Sequence, residues 1–300
     1  MHLERVSYGA LANCYRLTNG VIELIITGDV GPRIIRFGFI GDRNEFYQAD
    51  PLEIPADRSG WQLYGGHRLW HAPEVSGRTN APDNTPITIE DHGDFARLMQ
   101  PTDEAGIEKQ IDIRLSADAA QIQLVHRLIN HTLWNVELAV WALSVLNPGG
   151  TAIVPLPRRG SHPEDLLPTS SLAIWPYVDL SDPRFGFGHK YIRITQNPNV
   201  STPIKLGAAV PSGWAAYVNE GHLLIKQFEY VDGAVYPDLG SSVEVFANDF
   251  MLELETLSPI ISLAPAASAE HVERWTLIKG LPEIEGDDAI DQYVLPLIGG

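Results

Sequence analysis

Short apolar runs rich in β-branched residues recur along this chain, and turn residues separate them. The runs cover 21–27, 33–40, 87–91, 107–115, 121–129, 135–146, 191–195, 214–218, 222–230, 242–246, 251–257 and 271–278. Gly, Asn, Asp and Pro stand between them, as in Gly41-Asp42, Asn147-Pro148-Gly149-Gly150 and Val231-Asp232-Gly233, residues that supply turn conformations. Asn19-Gly20 and Asn219-Glu220-Gly221 read as hairpin turns. Period-2 alternation is cleanest in 107–115, where Ile107, Ile111, Ile113 and Leu115 fall on one face and Glu108, Asp112 and Arg114 on the other. Helical periodicity is confined to a short segment, 287–297, which Pro296 limits. Many strands at regular spacing predict an all-β, antiparallel sandwich or barrel with long loops and little helix. Three stretches lack strand character, 49–84, 154–171 and 177–190, and loops of that length often carry function. Residues 1–300 read as a single domain, with no linker or internal repeat.

Charge narrows the partners. The chain holds 21 Lys and Arg against 38 Asp and Glu, a formal net charge of −17. Such a chain repels a phosphate backbone and an anionic membrane surface, so neither nucleic acid nor membrane is an expected partner. A neutral sugar is indifferent to that charge. Cys14 is the lone cysteine, so no internal disulfide forms. With no signal-peptide pattern at the N-terminus and no apolar run long enough for a bilayer, a soluble, cytoplasmic protein is expected. No phosphate-binding loop, dinucleotide fingerprint, His-Glu-x-x-His or Gly-x-Ser-x-Gly occurs.

Two places carry chemistry. Glu253 and Glu255 lie in the alternating run Met251-Leu252-Glu253-Leu254-Glu255-Thr256-Leu257. On a strand they share a face, with bases about 7 Å apart. Two acids there are costly unless the face is wet, paired or catalytic. The second place is Tyr64-Gly65-Gly66-His67-Arg68-Leu69-Trp70-His71-Ala72-Pro73-Glu74. It joins a donor fork, two imidazoles and a flat indole, the mix of directional polar groups and apolar plane that a sugar requires. It also reads as a turn whose Arg68 pairs with a carboxylate while Trp70 fills the core. A metal set of His67, His71 and Glu74 is a further alternative, although Gly65, Gly66 and Pro73 oppose the helix it needs. Trp141 is either core or a stacking plane. Lys226 reads as a solvated or ion-paired strand residue with a possible reach to ligand. His126, His131, His162 and His189 have no partners visible in sequence and read as structural.

The pattern resembles the galactose mutarotase-like superfamily, large antiparallel β-supersandwiches of about this length. The resemblance rests on 21–27 followed by Gly31-Pro32-Arg33-Ile34-Ile35-Arg36-Phe37, and on Leu128-Ile129-Asn130-His131-Thr132 followed by 136–146. It continues in Leu254-Glu255-Thr256 with Pro259, Leu263-Ala264-Pro265 and a last strand through Trp275. Gly65-Gly66-His67-Arg68-Leu69-Trp70 with Pro73-Glu74 resembles a divergent branch more than the true aldose 1-epimerases.

The resemblance implies interconversion of sugar anomers without a cofactor, with Glu255 as the base. The family pairs that glutamate with a histidine of the central strand, where this chain has Ala139-Val140-Trp141-Ala142. The acid is therefore expected from His67 or His71. Arg68, Trp70 and Trp141 would position the sugar, Glu253 would accept its hydrogen bonds or hold Arg68, and Glu74 and Lys226 complete the expected binding set. A carbohydrate-recognition protein that kept the fold and lost turnover is the rival. A metal-dependent isomerase or lyase is the third reading.

Overall fold

The computed structural model describes residues 2–50, 54, 56, 57 and 60–299. Two antiparallel sheets pack face to face. The first runs, in spatial order, through His2–Tyr8, Leu11–Thr18, Ile22–Thr27, Arg33–Phe39, Gly66–Ala72, Val136–Leu146, Leu252–Leu257, Val243–Ala247, Ile204–Ala208 and Leu172–Ile174. Ile261–Leu263 pairs with the leading end of Val136–Leu146. The second runs through Phe185–Phe187, Tyr191–Thr195, Thr151–Pro155, Trp214–Asn219, His222–Phe228, Ser268–Lys279, Gln121–Asn130, Ile107–Leu115, Ala96–Met99 and Thr88–Asp91.

The core lies where the inner faces meet. Leu24, Ile34, Phe37, Val140 and Leu254 from the first sheet meet Ile111, Ile113, Leu124, Trp275 and Leu277 from the second. Burying such side chains contributes about 1.5–3 kcal/mol each. The expected all-β antiparallel sandwich is the observed architecture. Both expected hairpins form, and Glu220-Gly221 turns with positive φ at both residues, the conformation that matches strand twist. The expected C-terminal helix is Gly286–Tyr293 with a 3₁₀ turn at Leu295–Leu297. Its Ile290 and Val294 pack on Ile153, Trp214 and Ile225, on the outer face of the second sheet. Among the described residues no helix is long and apolar enough to cross a membrane.

One expectation is corrected here. The stretch 49–84 is not structureless, because Gly66–Ala72 is a buried strand paired on both sides. Its entry demands glycine. A Cβ at Gly65 would stand 2.0 Å from the Tyr47 carbonyl oxygen, and one at Gly66 2.3 Å from that of Ile34. Both glycines also have positive φ. The two glycines and Pro73 bracket a strand rather than interrupt one.

Candidate functional site

Register builds the site. On the outer face of the first sheet, Gly66, Val145, Glu253, Phe246 and Lys205 form one cross-strand row. Arg68, Leu143, Glu255, Glu244 and Gly207 form the next, and Trp70, Trp141 and Leu257 the third. Side chains in neighbouring rows lie within reach of one another. Above them is a cavity of about 360 Å³, lined by Arg68, Trp70, Trp141, Lys205 and Glu253 from the sheet. Asp57, Trp61, Glu74, Asn80, Trp175 and Tyr177 close it from the connecting segments. The volume falls within the range of small-molecule sites. A cavity of about 610 Å³ elsewhere is bounded by Gly149, Gly150, Gly221 and the Pro282–Glu285 segment, but no buried ion pairs converge on it.

Two cations dominate the wall. Arg68 donates to Glu253 at 2.9 Å, and its guanidinium carbon lies 4.3 Å from the Trp70 ring centre and 5.3 Å from that of Trp61. Lys205 Nζ lies 2.7 Å from Glu244 and 3.1 Å from Glu255, with Trp141 at 4.8 Å and Trp175 at 4.7 Å. Each cation therefore sits against two indoles, Arg68 with one carboxylate and Lys205 with two, an arrangement that holds a desolvated charge. Nε and Nη1 of Arg68 make no hydrogen bond.

Glu244, Glu253 and Glu255 face these two cations. Burial pushes Glu253 up, the neighbouring Glu255 adds to this, and Arg68 opposes it. Burial and Glu255 push Glu244 well above the carboxylate range against the pull of Lys205. Burial disfavours the Lys205 ammonium, but Glu255 and Glu244 outweigh it and raise its affinity for the proton. Tyr177 is pushed up to about 12, chiefly by burial, and keeps its phenolic proton.

Sequence reasoning placed Glu253, Glu255, Arg68, Trp70, Trp141 and Glu74 together, and all six are at or directly beneath this cavity. Glu255 is sealed rather than open. Its Oε2 accepts Trp141 Nε1 at 2.8 Å and Lys205 Nζ at 3.1 Å, and the residue has no exposed surface. Lys205, Glu244, Trp61, Trp175, Tyr177 and Asn80 were missed. Glu244 and Lys205 carried a usable signal, since each is a charge at an alternating position of an apolar strand, the same pattern that singled out the two glutamates.

The two histidines are corrected. His67 and His71 alternate with Arg68 and Trp70 along one strand, so they point through the sheet to its inner face. His67 Nε2 lies 2.7 Å from His126 Nε2, and its Nδ1 lies 2.9 Å from Ser144 Oγ. His71 Nε2 accepts from Arg78 at 3.1 Å. Neither imidazole reaches a sugar above Glu255. Lys226 is an ion-paired strand residue, and only its expected reach to a ligand is corrected. It is fully buried in the second sheet, 2.8 Å from Glu273, and donates to the Leu254 carbonyl at 3.1 Å.

The alternative metal set of His67, His71 and Glu74 does not come together. Glu74 borders the outer cavity while His67 and His71 lie behind the sheet. The nearest alternative is His67, His126 and Glu273, whose ligand atoms lie within 4.8 Å of one another. Protons satisfy that cluster already. The His271 carbonyl, 3.0 Å from His126 Nδ1, can only accept, so neutral His126 presents Nε2 as acceptor to the Nε2–H of His67, and Ser144 donates to His67 Nδ1. Glu273 accepts from Thr256 at 2.6 Å, Trp275 at 2.9 Å and Lys226. Two nitrogens 2.7 Å apart are closer than the roughly 3.3 Å that tetrahedral zinc ligation requires. His126, read from sequence as structural, is a member of this core network.

No protein-family model matches the chain, and no curated protein sequence does. Solved structures do. The Slr1438 protein of Synechocystis sp. PCC 6803 superposes with a TM-score of 0.56 at 11% identity, over 93% of this chain and 100% of its own. A galactose mutarotase related enzyme from Lactobacillus acidophilus gives 0.55 at 10% identity, over 91% and 99%. A galactose mutarotase-like protein from Lactobacillus casei ATCC 334 gives 0.56 at 9%, over 88% and 100%. The fold is that of galactose mutarotase-like proteins, at a sequence distance at which fold alone is shared.

Proposed function

We propose that the cavity above Arg68 and Lys205 binds a carbohydrate. The observation that carries this reading is the pair of cations clamped between Trp61 and Trp70 and between Trp141 and Trp175. They offer fixed donors beside apolar planes, and Glu253 and Glu74 line the same wall as acceptors. A pyranose needs that combination, with hydroxyls along its rim and C–H faces above and below. Two internal cations against Glu244, Glu253 and Glu255 leave no surplus positive charge, so the chemistry suits an uncharged sugar. Calorimetric titration with neutral mono- and oligosaccharides tests the reading. Saturable heat that Arg68→Ala abolishes is the expected result, and no binding across the panel would end it.

Catalysis is the second reading, and one observation favours it. Glu253 borders the cavity and its proton affinity is raised, which suits a general base near neutral pH. In this reading Glu253 takes the C1 hydroxyl proton, the C1–O5 bond opens to the aldehyde, and O5 takes a proton from solvent, since Lys205 holds its own tightly. Rotation about C1–C2 and the reverse steps give the other anomer. Glu253 replaces the expected Glu255, and Lys205 fixes the charge beside it rather than replacing the expected histidine. NMR of freshly dissolved α-anomers follows the rate. Acceleration lost in Glu253→Gln supports turnover, whereas binding without acceleration leaves a recognition protein.

A further inference from the structure

We infer that the saccharide site continues into a second subsite at the leading end of the strand Val136–Leu146, with the indole of Trp134 as the stacking plane for a further unit of an extended saccharide. This inference rests on the carbohydrate reading of the first cavity.

A separate cleft of about 840 Å³ lies there, lined by Pro73, Arg78, Trp134, Glu137, Ile260 and Ser262, among others. The cleft lies at the end of the sheet, where Val136 lines it from the inner side and Glu137 from the side of the first cavity. Trp141 and Ala139 belong to the outer apolar cluster, whereas Leu138 and Val140 belong to the inner core, so Glu137 falls on the Trp141 face. Ser262 pairs with Glu137 and extends that face. From Trp141 to Glu137 is four residues of strand, about 13 Å, the length of a short oligosaccharide. The segment that follows Ala72 walls both spaces: Glu74 and Asn80 border the first, and Pro73, Val75 and Arg78 the second.

Trp134 is the second observation. It is 69% exposed, unusual for an indole, yet its turn is built tightly. The buried Asn130 donates to the Trp134 carbonyl at 2.9 Å, Thr132 Oγ1 donates to the same oxygen at 3.0 Å, and Asn130 Oδ1 accepts the Thr132 amide at 2.8 Å. The ring is thus carried on an ordered turn, with a low entropic cost to binding. Arg78 is likewise fixed, by His71 and by the Glu137 carbonyl at 3.4 Å. The cleft combines a rigid exposed plane with Arg78, Glu137, Asn135 and Ser262 as donors and acceptors, which suits hydroxyl-rich ligands better than an apolar partner.

The test is calorimetry with mono- to hexasaccharides of the α-1,4-glucan, β-1,4-glucan, β-1,4-mannan and β-1,4-N-acetylglucosamine series. In one series the trisaccharide should bind about tenfold more tightly than its monosaccharide, and Trp134→Ala should remove that gain while leaving monosaccharide affinity unchanged. Monosaccharide binding with no length dependence in any series overturns the subsite and leaves the first cavity standing. A length dependence that survives Trp134→Ala overturns it as well. So does a shift from dimer to monomer in Trp134→Ala with unaltered length dependence, which would make the cleft a contact between two copies. No saccharide binding at all ends both readings.

Discussion

His67 and Arg68 are consecutive in the chain, and the pleat of their strand sends them to opposite sides of an eleven-stranded sheet. Arg68 meets Glu253 at the cavity wall, and His67 meets His126 and Ser144 in the core. Adjacent substitutions should therefore have unlike consequences. Arg68→Ala should lower saccharide affinity by more than about tenfold, since it removes a charge-assisted donor and unpacks two indoles. His67→Leu should leave affinity unchanged. It should instead destabilise the fold, because Ser144 Oγ and His126 Nε2 lose their partner at about 1–3 kcal/mol each. Calorimetry and urea unfolding on the two variants separate these outcomes. A weaker-binding His67→Leu of native stability would refute the assignment of faces.

Lys205 should be indispensable for a different reason. Among the described residues the ion pairs of Glu244 and Glu255 both run to Lys205, and Glu255 Oε1 lacks a hydrogen-bond partner. Removing one member of a buried ion cluster costs about 3–5 kcal/mol. Lys205→Met should lose stability on that order at pH 7, and adding Glu244→Gln should restore part of it, because one of the stranded charges is gone. Denaturant unfolding of the single and double variants measures the coupling. Additive losses would show that the three groups do not act as a unit.

Glu244 itself gives a pH prediction. Its proton affinity is higher in the fold than in the unfolded chain. Its contribution to stability is therefore present below the unfolded carboxylate value, near 4.5, and is lost as the pH rises through the folded value. Glu244→Gln mimics the protonated form and removes that loss. The variant should gain on the wild type as the pH rises above the unfolded carboxylate value, as read from urea midpoints. A gap that is constant or that closes with rising pH would contradict the raised affinity.

Much of this fold was legible because alternation and turn chemistry are local signals. The strand Ile107–Leu115 and the turn at Glu220-Gly221 could be read directly, the second because positive φ at two successive residues matches the hairpin twist. The strand Gly66–Ala72 was hidden because it is buried on both faces. His67, Arg68 and His71 are polar, and their partners, Ser144, Glu253 and Arg78, lie from 7 to 185 positions away. A strand that buries charge against distant counter-charges carries no apolar period. The same circumstance misled the reading of the histidines. Clustering in sequence suggested one chemical group, but on a strand neighbours diverge and only every second residue converges. Applied to Gly66–Ala72, that rule alone would have separated His67 and His71 from Arg68 and Trp70. No local pattern could have brought Lys205 to Glu255, since their meeting depends on a cross-strand register set by Val243–Ala247 between them.

The acid limb of stability follows from His71. Burial, with Lys109 and Arg78 nearby, lowers its pKa from 6.5 to about 4. A histidine whose folded value is depressed contributes stability that is present above its unfolded value and is lost as the pH falls toward the folded one. The difference of about 2.5 units corresponds to roughly 3 kcal/mol, lost between pH 6.5 and about 4 and constant below. His271, lowered to about 3 chiefly by burial, prolongs the decline. His71→Gln keeps an acceptor for Arg78 and cannot titrate. Its urea midpoint should match the wild type within about 1 kcal/mol at pH 7.5 and fall less steeply between pH 6.5 and 4.5, with the residual slope shared by His67, His126 and His271, all lowered chiefly by burial. Parallel acid limbs for the two proteins would show that His71 is protonated as readily in the fold as in the unfolded chain.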